Sequence, residues 1–206
     1  MWNRIFDMDN PLMRALGAIC DLLVLNLLTV LCSLPVVTMG AALTALYDVL
    51  LRIVRREDRG VVKSYFRALR ANLKKGVPMG LLFLVAFVVF FVDYNLADAL
   101  MPMLRVPVVA AAMVVGAVAL YAFALLARYE NTLVQTLKNA ATLSVAYFPR
   151  TLGLLVFTVA LWLLCLHFFQ IALPVLLMFG LSLPAYIGAL LFDGIFQKLE
   201  DKEENQ

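Results

Sequence analysis

The chain has 206 residues, 64% of them apolar and 15% charged, with a mean hydropathy of +0.93 and a formal net charge of +3. Soluble domains average about 45–50% apolar and about 25% charged residues. A globule of this size has no interior for the excess, so an ordinary soluble fold is excluded and lipid is needed as a second apolar solvent, in one membrane domain over 1–206.

The first fourteen residues include Trp2, Phe6, Asp7, Asp9 and Pro11. They do not read as a secretory leader, so the first helix is expected to be retained. Six apolar segments follow, at 16–34, 36–51, 77–92, 106–127, 152–169 and 175–192. Their apolar runs are continuous rather than alternating, which favours helices over barrel strands. The expected fold is therefore all-α, a polytopic bundle of about six transmembrane helices.

Lysine and arginine set the orientation. With the N-terminus inside and every segment crossing or returning, 16 of the 17 basic residues fall on the inner side and Arg105 alone falls outside. That bias obeys the positive-inside rule and puts both termini in the cytoplasm. The link Ser33-Leu34-Pro35-Val36-Val37-Thr38-Met39-Gly40 is too apolar for an ordinary watery loop. Two full spans and a re-entrant hairpin both fit segments one and two, because the charge pattern is the same for either.

The stretch 61–75 has two faces. Val62, Tyr65, Phe66, Leu69 and Leu73 recur at helical spacing, with Phe66 and Leu69 expected to face inward. Lys63, Arg67, Arg70 and Lys74 form another stripe. This predicts a basic amphipathic helix on the cytoplasmic side. It is either a lipid surface on the anionic inner leaflet or a docking surface for a partner. Nucleic acid is not expected, since no reading module accompanies the charge. A weaker amphipathic stretch runs over 132–147, so the order surface helix, span, outer turn, span occurs twice. A second echo links Ser33-Leu34-Pro35 and Gly40-Ala41 with Ser182-Leu183-Pro184 and Gly188-Ala189.

Charged residues inside apolar runs are costly and mark candidate sites. Asp21, Asp48, Arg52, Arg128 and Asp193 all fall at inner ends of segments, giving a candidate cytoplasm-side polar cluster in which Asp48 and Arg52 are spaced to pair. Cys20, Cys32 and Cys165 lie in apolar runs, and the single His167 does not complete a metal site with them. No catalytic motif is read, and neither an enzyme activity nor a cofactor is expected.

The block Phe6-Asp7-Met8-Asp9-Asn10-Pro11, then Asp21, Asn26 and the run from Leu31 to Ala41, resembles the YesL-like membrane proteins of Gram-positive bacteria. So does the tract from Tyr65 to Lys74. The likeness runs along essentially the whole chain. That family has no agreed catalytic residues, and its members often lie near genes for carbohydrate ABC importers and polysaccharide breakdown. The resemblance thus implies a noncatalytic accessory protein of the bacterial plasma membrane, with a carbohydrate ABC importer or another membrane protein as partner. The alternative is a small-solute permease or channel, suggested by the repeat and by the breaks at 35–40 and 184–188.

Overall fold

A computed structural model describes residues 11–55, 57, 60–100, 102–167 and 178–204. The opening motif at 6–10, both chain ends, and the ends of the fifth and sixth segments with the turn at 170–174 lie outside the described residues. Among the described residues the chain forms α-helices and short 3-10 turns, and no strand.

Helix α1 spans Pro11–Ser33 and α2 spans Met39–Val54. Pro35 separates them, since a proline biases the residue before it away from the helical region. The Thr38 hydroxyl donates to the Cys32 carbonyl at 2.6 Å and lies 2.8 Å from that of Pro35, which closes the turn and satisfies the frayed end of α1. Helix α2 is the most enclosed candidate span, packed against α1, α3, α4 and the last helix.

Helix α3 runs unbroken from Val61 to Leu100, 40 residues with Pro78 inside. The expected separate surface helix at 61–75 and the span at 77–92 are therefore one element. Proline and glycine are tolerated in membrane helices when neighbours cover the backbone, and α2 does so here. Ideal Cβ atoms built on Gly76 and Gly80 fall 2.7 Å from Ala41 Cα and 2.6 Å from Gly40 Cα. The two backbones thus touch through a small-xxx-small crossing. Leu100 lies about 30 Å farther along α3 than Gly80, at about 1.5 Å per residue. The α1–α2 turn can rise at most roughly 25 Å beyond Gly40 by contour length from Ser33, and its 3-10 turn at Val36–Thr38 shortens that further, so it stops short of Leu100.

Helix α4 spans Arg105–Arg128, and its second half, Tyr121 to Leu126, is buried. The chain is extended at Tyr129. It then enters α5, Leu133–Ala146, where the Thr132 hydroxyl accepts from the Gln135 N–H. Helix α6, Phe148–His167, leaves at 97° to α5, with Pro149 in its first turn. So the second amphipathic stretch does bend away from its span whereas the first does not, and the expected repeat fails at its first helix. The last helix, α7, spans Ser182–Glu204. The segment expected at 175–192 is not one helix, because a turn at Gly180 and Leu181 precedes α7.

Among the described residues, four helical stretches are long and apolar enough to cross a membrane, and the bent α5–α6 pair makes a fifth if taken as one span. The apolar part of α7, Ser182–Ile195, is shorter than a span needs.

Candidate functional site

Two polar features stand out against this apolar frame. The first is the opening third of α3. Lys63, Arg67, Arg70 and Lys74 are all exposed, while Tyr65 and Ala68 are buried against the bundle. Tyr65 lies within reach of the Ala42 carbonyl, 3.4 Å away. Phe66, expected to point inward, is 42% exposed and Val62 is 49% exposed. The buried stripe runs through Tyr65, Ala68, Gly76 and Met79, with Leu69 half-buried against the core, and the turn of the helix carries Phe66 off it.

The second feature sits where α2 and α4 end beside the middle of α7. Arg52 Nε donates to Asp48 Oδ1 at 2.8 Å, the i, i+4 pair that the spacing predicts. Arg55 Nε donates to Asp193 Oδ1 at 2.6 Å and joins α2 to α7. Asp48, Arg52, Arg55, Glu57 and Arg128 line one cavity of about 230 Å³. Four of the five expected cluster residues, Asp48, Arg52, Arg128 and Asp193, are thus brought into one neighbourhood. Asp21 is not. It lines a separate cavity with Ile53, Val61 and Lys63. Arginines also complement the negative ends of α2 and α4, so the cluster carries balanced charge and a structural duty.

Arg55 escaped the sequence reading, although it lies seven residues after Asp48 on the same helical face. Asn26 escaped it as a site residue too. Its side chain is fully buried, and Oδ1 accepts the N–H groups of Leu181 at 2.8 Å and Ser182 at 2.9 Å. It thereby caps α7 from the middle of α1. The signal was a lone amide in an apolar run. Among the described residues no group of three or more His, Cys, Asp or Glu could hold a metal ion.

The second half of α1, all of α2 and the greater part of α3 are similar to a family of proteins. Residues 22–94 match the family model described as "Protein of unknown function, DUF624". The DUF624 match takes in Asn26, the Gly40–Gly80 crossing, Asp48, Arg52, Arg55 and the whole basic face of α3. It leaves out Asp21, Arg128 and Asp193. No curated protein and no solved structure matches the chain.

Proposed function

We propose that the chain is a noncatalytic accessory membrane protein that holds a partner through the exposed basic face of α3. The observation that carries this reading is that Lys63, Arg67, Arg70 and Lys74 stand exposed on a helix that continues without a break into an apolar span. Such a helix is anchored at one end and braced by α2 along the other. It presents charge on a rigid support, so little side-chain and backbone order is lost on binding.

In this reading the chain is a YesL-like protein of a bacterial plasma membrane. Six segments lie in the membrane, both termini and the basic face are cytoplasmic, and the partner is a carbohydrate ABC importer or another membrane protein. The strong inner bias of lysine and arginine supports the orientation.

A second reading, a small-solute permease, draws on one specific observation. Helix α2 begins after the break at Pro35 and α7 after the turn at Gly180 and Leu181, while the break expected at 184–188 is instead continuous helix within α7; the two helices pack side by side, with Tyr47 and Phe192 ring centroids 6.2 Å apart. Discontinuous helices of this kind line substrate sites in transporters. Liposomes containing this protein alone separate the two readings. The accessory reading expects no flux across a panel of sugars and ions. Robust flux that responds to changes at Asp21, Asp48 or the 35–40 turn would replace it with the permease.

A further inference from the structure

Helices α3 and α4 are joined by a short turn, and the space between them has a definite shape. Phe83, Phe87, Phe91 and Tyr94 recur along one face of α3. Opposite them α4 offers Ala112 and Gly116. The bulky wall and the small floor enclose a groove of about 380 Å³. Phe87 and Phe91 stack, with centroids 6.4 Å apart, and both are mostly exposed, so the groove opens sideways. Its end is polar. Arg105, one turn before the groove residues of α4, sets its guanidinium carbon 5.2 Å from the Tyr94 ring centroid. That is a cation–π contact at the mouth of an otherwise apolar slot.

The size decides between occupants. A helix about 10 Å across displaces roughly 400 Å³ in each turn of 5.4 Å. The groove follows α3 for about three turns, so a helix seated along it would lie mostly outside it. A single hydrocarbon chain fits. The charge decides what is attached to it. A guanidinium at the mouth pairs with phosphate by charge-assisted hydrogen bonds. The exposed Asp93 belongs to the same end of the hairpin, which disfavours a polyanionic headgroup.

We propose that this groove is a binding site for one phospholipid of low net charge, with an acyl chain between the phenylalanine wall and Ala112 and the phosphate on Arg105. The site is independent of the partner surface on α3 and stands whether or not that reading does.

The test is native mass spectrometry of the full chain in a neutral detergent, titrated with dioleoylphosphatidylethanolamine and, separately, with dioleoylglycerol, which has the same chains and no phosphate. A one-to-one phospholipid adduct is expected. Arg105→Gln should weaken it about tenfold, the loss expected of one charge-assisted contact, and leave the dioleoylglycerol adduct unchanged. Ala112→Phe should abolish both adducts by filling the slot. Val109→Phe, at another groove position on α4, serves the same purpose should the first variant not fold. No adduct with the unmodified chain, or adducts indifferent to all of these changes, would overturn the proposal and leave ordinary annular lipid.

Discussion

Arg55 Nε and Asp193 Oδ1 lie 2.6 Å apart although 138 residues separate them in the chain. Both side chains are largely enclosed, at 15% and 11% exposure. Removing one partner of such a pair leaves a charge with poor access to water, which costs far more than losing an exposed pair. Arg55→Ala is expected to destabilise the chain by roughly 3 kcal/mol. Arg52→Ala breaks a pair whose arginine is 44% exposed and should cost under about 1 kcal/mol. Thermal unfolding in detergent compares the two, and equal losses would contradict the assigned roles.

The α2–α3 crossing predicts a steep size dependence. Gly80→Ala places a methyl 2.6 Å from Gly40 Cα, where backbone must move. Gly80→Val should prevent folding, and Gly80→Ala should lower stability by about 1–3 kcal/mol, the usual cost of overpacking. Gly153→Ala is the contrast, because its Cβ meets nothing within 4 Å in the middle of α6. That change should leave stability unchanged or raise it by up to about 1 kcal/mol.

Asn26→Leu keeps the branched shape of the buried side chain, with some added bulk, and removes the acceptor for two N–H groups. Each orphaned donor costs about 1–3 kcal/mol. The loss should be local. Hydrogen exchange at Leu181 and Ser182 should rise before that of Tyr47 or Leu50 in α2. Uniform acceleration across the chain would show instead that Asn26 supports the whole bundle.

Much of the fold was legible because the physics that builds it is short-range. Continuous apolar runs gave the helices, and i, i+4 spacing gave Asp48 with Arg52. The 61–75 stretch was read as helical and is. Its buried face was legible at Tyr65 and, in part, at Leu69, but not at Val62 and Phe66, whose size does not decide which way they point. The contact with α2 is made by Ala68, Gly76 and Gly80, whose value lies in their smallness. Pro78 and Gly76 also looked like a boundary. Whether proline ends a helix depends on what packs beside it, and that is a property of residues 40–41. The Arg55–Asp193 pair and the Asn26 cap are long-range and left no local pattern. The polar cluster was legible in membership, apart from Asp21, but not in its connections.

The relative heights of the two turns give an accessibility prediction. Val37 and Met103 are both exposed, at 54% and 86%, yet the α1–α2 turn ends short of the α3–α4 turn. In a chain with Cys20, Cys32 and Cys165 replaced by alanine, Met103→Cys should react with an impermeant thiol reagent added outside intact cells. Val37→Cys should not. Labelling of both would mean that α1 and α2 cross the membrane completely.

Partner capture by the basic face of α3, as proposed, is open to one binding measurement. The full chain and the triple variant Arg67→Glu, Arg70→Glu, Lys74→Glu are compared for co-purification with carbohydrate-importer subunits, in neutral detergent so that anionic lipid does not contribute. At about 1 kcal/mol for each basic contact, reversal of three should lower affinity roughly a hundredfold or more, while the thermal stability of the chain stays unchanged. Capture of equal strength by a well-folded triple variant would contradict the account.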